Sequence, residues 1–538
     1  MNRLKGKAVY KGVALGKIHV LKKQDFVINN EQVQEVDVEL ERVRKAKEQA
    51  AIELQTLYEK ALKEVGEDGA EIVQVQMFML EDEDYTEGIE DKITSQHMNA
   101  ESAVWETGEE FAKVFEAMDN DYMKARSADI RDITKRIVGH LCNAEGMGEL
   151  VEPVILVAED LSPSETVVLD KSKILAFVTV FGATNSHTAI LARTMNIPAL
   201  IGVNMDISSL TSGMEAAVDG FVEEFILEPD EDCKKVLLEK IESEEKQKEL
   251  LRALKGKENV TKSGKSIDLF ANIGSVDDLK YVKDNDAGGI GLFRSEFLYI
   301  GKDRLPDEEE QFLAYKKVAE EMEGKKVVIR TLDIGADKKA DYLNLGHEEN
   351  PALGYRAIRI CLTQKDIFKT QLRALYRAAV YGNISIMYPM IISTEEVEAI
   401  REVSAEVKKE LQEANIPYKD VEEGIMIETP AAAMISDELA KMVDFFSIGT
   451  NDLTQYTLAI DRQNEKLNVF YNPHHKAILK FIQLVVENAH KEGKWVGICG
   501  ELGADTRLTE TFIKMGVDEL SVAPGAVLKI RNVIRQIE

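Results

Sequence analysis

Residues 267–273, IDLFANI, begin the series of short apolar runs that decides the fold of the second half of the chain. The seven later runs are GIGLF (289–293), KVVIRT (326–331), ISIMYPM (384–390), GIMIET (424–429), FFSIGT (445–450), WVGIC (495–499) and LSVA (520–523). Each run is typical of a buried strand, and helical stretches such as 309–323 and 366–380 separate most of them. Eight such repeats over about 270 residues predict a (β/α)8 TIM barrel.

Charged residues follow the predicted strands, at the end where a TIM barrel carries its chemistry. They are Arg294, Glu296, Arg330, Asp333, Glu428, Asp452 and Glu501, with Asn451 and Cys499 beside them and Lys338, Arg356 and Arg462 in nearby loops or helix starts. A lone arginine or glutamate there is more often a salt-bridge partner than a catalyst. Several arginines together suit phosphate and carboxylate oxygens, and paired carboxylates with an amide suit Mg²⁺. The pattern predicts a site for a small phosphorylated carboxylic acid bound through Mg²⁺.

The first half of the chain has a different texture, with no proline before Pro153. Between about residues 32 and 146, apolar residues recur at helical spacing, which predicts one long helix from Val36 and further helices at 71–80, 101–118 and 125–143. A four-helix segment is the simplest interpretation. Seven acidic residues between Glu81 and Asp91 indicate either a solvated helix end or a docking surface for a basic partner.

Short β-like runs flank this helical segment. VILVA (154–158), ILAFVTV (174–180), ALIGV (199–203) and the opening AVYKGVALGKIHVLK predict a small α/β domain. The predicted division is an α/β domain of residues 1–30 and 147–228, an inserted helical subdomain of 31–146, a linker helix of 229–260 and the barrel of 261–538. Residues 229–255 have the pattern of a polar amphipathic helix, which is a plausible connector between the two domains.

His187 stands apart from the other seven histidines by its setting. A strand is predicted to end near Val180, a glycine turn follows, and a helix begins around Thr188. A helix N-terminus favours an added anion, and a neutral imidazole is a competent nucleophile toward phosphorus. A single histidine is nevertheless more often structural, so the setting alone leaves both interpretations open.

Charge and composition limit the classes of partner. The formal charge is −29 and the sequence pI is about 4.9, which argues against nucleic acid or an anionic membrane as the main partner. The four cysteines lie far apart, with no CxxC pair, and indicate free thiols in a reducing compartment. No apolar run has the roughly 18 to 20 residues of a membrane helix, so we expect a cytoplasmic protein without membrane insertion.

Two segments resemble a known family. GATNSHTAILAR (182–193) resembles the phosphohistidine signature of the phosphoenolpyruvate-utilising enzymes, and DFFSIGTNDLTQYTLAIDR (444–462) resembles their second signature, on the barrel. The order of the segments most resembles the enzyme I family of the bacterial phosphoenolpyruvate:sugar phosphotransferase system. The likeness continues through GVALGK (12–17), ADIRDITKR (128–136), LSPSET (161–166), RTLDIGADK (330–338), ENPALGYRAIRI (349–360) and GICGELGAD (497–505).

The resemblance implies a phosphotransferase with a phosphohistidine intermediate. His187 would accept the phosphoryl group of phosphoenolpyruvate on Nε2 and pass it to a histidine of the phosphocarrier protein HPr, with release of pyruvate. Cys499 would deliver the proton to the departing enolate, and Glu428 and Asp452 would hold Mg²⁺. The substrate-binding residues would be Arg294, Arg330, Arg356, Asn451, Arg462 and Lys338. The family further implies a homodimer formed through the barrel and docking of HPr on the helical insertion.

The sequence departs from the family pattern around the nucleophile. Many members carry Gly-Gly-Arg-Thr-Ser-His, whereas residues 182–187 read Gly-Ala-Thr-Asn-Ser-His. The missing arginine removes one phosphate contact, so the rate or the pairing with a particular HPr is expected to differ while the reaction class stays. Ser162 stands where other members often have threonine.

Two other functions compete with this interpretation. A relative of pyruvate phosphate dikinase or phosphoenolpyruvate synthase would share both signatures, but its nucleotide-binding domain of a few hundred residues would precede the histidine, and only about 180 residues do so here. A scaffold that binds HPr-like partners without catalysis is the other alternative. It is disfavoured because every residue that the chemistry needs is present.

Overall fold

The fold is described from a computed structural model. It describes residues 2–21, 28, 32–64, 67–118, 121–142, 152–161, 173–182, 189, 192, 197–300, 302, 304–336, 340–343, 345–462, 464–467 and 469–538. The chain divides into two compact units, Met1–Lys246 and Gln247–Glu538. In the described ranges, no helix combines the length and the apolar character that crossing a membrane would require.

The first unit contains a mixed sheet of eight strands. In the order β1-β8-β7-β3-β4-β5-β6-β2, the four strands from β3 to β6 run parallel and the remaining neighbours pair antiparallel. All five residues of the central β4 are buried, as expected for a parallel strand covered on both faces. The strands are β1 Asn2–Lys5, β2 Lys7–Tyr10, β3 Val13–Leu21, β4 Val154–Ala158, β5 Ile174–Thr179, β6 Ala199–Ile201, β7 Glu215–Asp219 and β8 Glu224–Leu227.

Helices occupy the chain between β3 and β4. They are α1 Val36–Glu64, α2 Glu67–Leu80, α3 Glu83–Gln96, α4 Ala100–Glu116 and α5 Asp121–Leu141, and they share one apolar core. The prediction of four helices is wrong, because the acidic stretch itself forms α3. Asp82 caps this helix by accepting a hydrogen bond from the backbone N–H of Tyr85 at 2.9 Å, and Tyr85, Ile89 and Ile93 are buried.

The predicted connector is a helix, α6 Glu231–Arg252, on which Leu237 is the buried residue. The four predicted domain boundaries (1–30 with 147–228, 31–146, 229–260 and 261–538) stay a prediction.

The second unit is a closed barrel of eight parallel strands, which confirms the predicted fold class. The strands are β9 Asp268–Ile273, β10 Ile290–Arg294, β11 Lys326–Arg330, β12 Asn383–Tyr388, β13 Glu422–Ile427, β14 Phe445–Ile448, β15 Trp495–Ile498 and β16 Glu519–Val522. Their outward side chains and the surrounding helices form the largest apolar core of the molecule. The helices are α7 Leu279–Asp284, α8 Glu308–Glu321, α9 Ile358–Thr363, α10 Lys365–Ala378, α11 Thr394–Glu413, α12 Pro430–Met434, α13 Ser436–Leu439, α14 Thr450–Leu458, α15 Lys476–Lys491, α16 Thr509–Met515 and α17 Val527–Ile534.

Candidate active site at the carboxyl end of the barrel

The barrel brings most of the predicted site residues to one end, because parallel strands align their carboxyl ends. Arg294 and Arg330 are the last residues of β10 and β11 and are register partners. Glu428 follows β13 and Cys499 follows β15 directly, while Asn451 and Asp452 lie in the first turn of α14. Positions that are hundreds of residues apart in the chain are therefore neighbours at the barrel mouth.

Two of the predicted arginines are buried in an ion-paired cluster. Asp333 accepts from Arg330 Nη1 at 2.8 Å and from Arg356 Nη2 at 2.7 Å. Arg330 Nη2 also donates to Glu296 Oε1 at 2.9 Å. Both arginines are 8% exposed, and their carboxylate partners are buried as well. Two acids thus hold two guanidinium groups in fixed orientations at the barrel mouth.

Glu428 is completely buried, and only one of its two carboxylate oxygens accepts a hydrogen bond within the described part of the chain. Its Oε1 accepts the backbone N–H of Met390 at 2.6 Å, whereas Oε2 has no hydrogen-bond partner among the residues that the structure describes. Met390 adopts a φ of 61°, in the left-handed region that non-glycine residues rarely occupy, in the turn that presents this N–H. Burial raises the pKa of Glu428 to about 8, the negative charges of Asp452 and Asp333 add to the shift, and Arg330 opposes it.

Asp452 and Asn451 each lie beside another predicted residue of the strand ends and nearby loops, Arg462 and Glu501 respectively. Arg462 Nη2 lies 3.8 Å from Asp452 Oδ1, and the Arg462 side chain is 37% exposed. Asn451 exchanges two hydrogen bonds with Glu501: its Nδ2 donates to Oε1 at 3.3 Å, and its Oδ1 accepts the backbone N–H at 3.0 Å. This exchange fixes the orientation of the Asn451 amide.

Cys499 is buried at the same mouth, with 3% of its surface exposed. Its Sγ lies 3.7 Å from the carbonyl oxygen of Ile448. Burial raises the pKa of Cys499 to about 12, an effect that the Ser447 hydroxyl and Arg330 oppose and that Glu519 and Glu428 reinforce. The thiol therefore keeps its proton at neutral pH.

The two predicted metal ligands suit a divalent cation. Within the described ranges, Oε2 of the buried Glu428 lacks a hydrogen-bond partner, and burial together with the nearby Asp452 makes the ionisation of Glu428 unfavourable. A bound cation would compensate for both. Among the residues that the structure describes, no cluster of three or more His, Cys, Asp or Glu side chains could hold a metal. Two carboxylates are nevertheless the usual protein share for Mg²⁺, which takes its other ligands from water and substrate phosphates.

Two predicted site residues, His187 and Lys338, lie outside the described residues. Arg294 is placed at the mouth but is exposed. The roles of Glu296 and Asp333 as partners of the arginines were not predicted, although both stand at predicted strand ends. Their position was visible in the sequence, but their pairing depends on side-chain directions that spacing alone does not give.

Three family models match successive parts of the chain. They describe the N-terminal domain of a PEP-utilising enzyme (residues 5–126), its mobile domain (150–222) and its PEP-binding domain (248–538). The chain belongs to the PEP-utilising enzyme family. The predicted family and the prediction of an enzyme are confirmed. As a PEP-utilising enzyme, it belongs to a family that uses a divalent metal.

Relatives of this PEP-utilising enzyme share its whole length. The phosphoenolpyruvate-protein phosphotransferase of Priestia megaterium is 44% identical over 99% of this chain and 94% of its own. The proteins of the same name from Bacillus subtilis and Listeria innocua are 44% and 43% identical, over 100% and 99% of this chain and 95% and 94% of their own.

Proposed function

We propose that this PEP-utilising enzyme transfers the phosphoryl group of phosphoenolpyruvate to its own His187 and then to a histidine of HPr, with release of pyruvate. The observation that carries the proposal is the convergence of buried arginines, a half-satisfied carboxylate and a protonated thiol at one barrel mouth. The full-length relatives named phosphoenolpyruvate-protein phosphotransferase support the same reaction. It would be the first step of the bacterial sugar phosphotransferase system.

The arginines would bind the substrate anion. Arg330 and Arg356 are oriented by Asp333, and Arg294 ends the neighbouring strand. Phosphoenolpyruvate carries a phosphate and a carboxylate, and forked guanidinium groups bind both by paired hydrogen bonds. Asn451, Arg462 and Lys338 would complete the set. Phosphoryl transfer depends mainly on positioning and charge neutralisation, which such a cluster supplies.

Glu428 and Asp452 would hold Mg²⁺. When bound, the cation would neutralise phosphate and carboxylate charge on the substrate. The Glu428 carboxyl must lose its proton to act as a ligand, because a metal ligand has to be deprotonated. The raised pKa of Glu428 therefore couples metal binding to proton release.

Cys499 would supply the proton that converts the enolate to pyruvate. The S–H bond breaks as a C–H bond forms at the methylene carbon, and a thiolate remains. Because burial holds the pKa of Cys499 at about 12, the thiol is protonated when substrate arrives. Its burial also keeps bulk water from competing at this position.

Four further parts of the proposal are untested. The family resemblance implies docking of HPr on the helical insertion and a homodimer through the barrel, whereas the sequence pattern predicts a cytoplasmic location and the domain division of residues 1–30 with 147–228, 31–146, 229–260 and 261–538. Sedimentation velocity of the intact chain alone tests the homodimer. Sedimentation velocity of the intact chain mixed with purified HPr tests the docking of HPr.

The test of the reaction is the intact mass of the protein after mixing with phosphoenolpyruvate and Mg²⁺ at neutral pH, with ATP as the comparison. We expect a gain of one phosphoryl group from phosphoenolpyruvate only, lost in mild acid and absent in His187→Ala. His490→Ala is the matched control, because His490 pairs with Asp518 on the barrel surface at 2.9 Å and should label normally. Labelling by ATP alone would indicate a dikinase, and no labelling by either would indicate a scaffold.

A further inference from the structure

The interior of the barrel is divided into an apolar and a polar half. Leu292, Val328, Met387 and Met426, from β10 to β13, form an apolar cluster with Phe445 and Cys499. Alternation along the strands places Ser447 on the same face as Phe445, and Gly497 on the same face as Cys499. Asn272 of β9 donates to the carbonyl oxygens of Cys499 at 2.9 Å and Ser521 at 3.1 Å. The strands beneath Cys499 therefore carry serine, glycine and asparagine where the opposite strands carry leucine, valine and methionine.

Glu519 is a buried acid in this polar half, with 2% of its surface exposed. A Cβ at Gly497 would overlap its Oε2, and a Cβ at Gly291 would overlap its Oε1 and the Ser521 hydroxyl. The carboxyl group thus occupies the space that two glycines leave open. Burial and the nearby Asp268 raise the pKa of Glu519 well above its usual range and so favour its protonated form, whereas Lys326 and the Ser521 hydroxyl lower that pKa.

Glu519 is close enough to Cys499 for its charge to raise the pKa of the thiol. Gly497 is the register partner of both Ser447 and Glu519, so these two residues flank the glycine from the neighbouring strands, each about 4.8 Å from β15. The Ser447 hydroxyl in turn lowers the pKa of Cys499, which places it beside the thiol. By strict hydrogen-bond geometry, Glu519 Oε1, Ser447 Oγ and Ser521 Oγ have no partner in the described part of the protein, although Ser521 lies close enough to Glu519, and Ser447 to Cys499, to lower their pKa values. Buried polar atoms in such a setting are usually satisfied by enclosed water.

The other end of the polar half reaches solvent. Asp268, the register partner of Glu519 on β9, is exposed at the amino end of the barrel. Lys326 lies at the same end, donates to Glu422 at 2.8 Å and is only partly buried. Charged side chains therefore extend from the amino end of the barrel, opposite to Cys499, to within electrostatic reach of Glu519.

The proposed reaction creates a need for such a proton. Each turnover would leave Cys499 as a buried thiolate, which is strongly basic because its conjugate thiol has a pKa of about 12. We propose that Glu519 returns a proton to Cys499 through Ser447 and enclosed water, and is itself reprotonated from solvent beside Asp268. The carboxyl O–H bond breaks as the S–H bond re-forms, and the resulting carboxylate takes its proton from water. This inference rests on the proposed function and adds a second, separate entrance for protons.

Glu519→Gln tests the relay, since glutamine keeps the size and polarity but has no proton to cycle. The intact enzyme is mixed with phosphoenolpyruvate and Mg²⁺ in a quenched-flow instrument, and the first turnover is read as phosphoenzyme by intact mass. Steady-state pyruvate formation is then followed with excess HPr. We expect an unchanged first turnover, because Cys499 starts with its proton, and an at least tenfold slower steady state with a larger solvent deuterium isotope effect.

Two serine variants complete the test and remain informative even where Glu519→Gln fails to fold. Ser447→Ala should reproduce the selective loss of the steady state, whereas Ser385→Ala is the matched control. Ser385 is equally buried but contacts Glu422 at 3.2 Å, on another strand pair, and should leave both rates unchanged. A steady state at the wild-type rate in Glu519→Gln or Ser447→Ala overturns the relay, as does a parallel loss of the first turnover. Absence of phosphoenzyme in the wild type would instead overturn the proposed function, and the relay with it.

Discussion

Replacing Asp333 with asparagine should destabilise the barrel strongly, because this carboxylate neutralises two buried guanidinium groups. Asp333 accepts from Arg330 at 2.8 Å and from Arg356 at 2.7 Å, and all three side chains are at most one-tenth exposed. Removing one partner of a buried ion pair costs about 3–5 kcal/mol, since the remaining charge is left without compensation. Glu296 still neutralises part of the Arg330 charge, so the expected loss lies within this range and not above it.

The expected loss can be converted to a shift in melting temperature. The barrel unit, Gln247–Glu538, has roughly 290 residues, and an unfolding entropy of ~2.1 cal/mol/K per residue gives about 0.6 kcal/mol/K. A loss of about 3–5 kcal/mol then corresponds to a decrease of roughly 5–8 °C in the melting temperature of the barrel. Differential scanning calorimetry of the intact, metal-free chain measures this transition.

Asp420→Asn is the matched control for Asp333→Asn. Asp420 lies in the same unit and pairs with Lys408 at 3.0 Å, but its side chain is 79% exposed. Exposed pairs contribute about 0–1 kcal/mol, so this variant should melt within roughly 2 °C of the wild type. Inorganic phosphate should raise the melting temperature of Asp333→Asn more than that of the wild type, because it can replace the missing anion. If Asp333→Asn melts with Asp420→Asn, the cluster does not depend on Asp333 as argued.

Three further outcomes follow from individual groups. If Glu428, whose pKa is about 8, holds Mg²⁺ as proposed, only its ionised form would bind the cation. The calorimetric Mg²⁺ affinity should then rise about tenfold per pH unit from pH 6 to near 8 and level off above it, and a flat profile would contradict this role. Iodoacetamide at pH 8 should modify the exposed Cys142 at least tenfold faster than the buried Cys499, as read by peptide mass, and equal rates would show that the thiol is not enclosed. Asp82→Ala should lower the free energy of unfolding of the helical insertion by about 1 kcal/mol in urea, because the backbone N–H of Tyr85 loses the Asp82 carboxylate as its acceptor. Asp84→Ala is the control, at an exposed neighbouring position.

The barrel was predictable because its strands are continuous apolar runs, which few other environments tolerate. The helix Glu83–Gln96 was missed for the opposite reason: its composition is acidic and a glycine, Gly88, interrupts it. The informative signal was the spacing of Tyr85, Ile89 and Ile93, which places one apolar residue on each turn of the same face. The acidic composition of this segment therefore masked a helical spacing of apolar residues that its sequence contains.

The site was predictable to the level of which strand ends would meet. Arg330, Glu428 and Cys499 each stand where a predicted strand ends, so the barrel fold alone brings them together. The sequence could not indicate that Asp333 would bind two arginines, since that depends on the directions of three side chains. The inward position of Glu519 was equally hidden, because the room for it is provided by Gly291 and Gly497 on other strands.

The internal neutralisation of Arg330 and Arg356 has a consequence for product release. If Arg330 and Arg356 bind the substrate as proposed, a ligand that enters the mouth would compete with Asp333 and Glu296 for the same guanidinium groups. Phosphoenolpyruvate would bring a phosphate and a carboxylate to that competition, whereas pyruvate, after losing its phosphate, would bring a single carboxylate. Asp333 and Glu296 would then pair with the arginines again and displace pyruvate. The enzyme would thereby discriminate product from substrate without any additional contact.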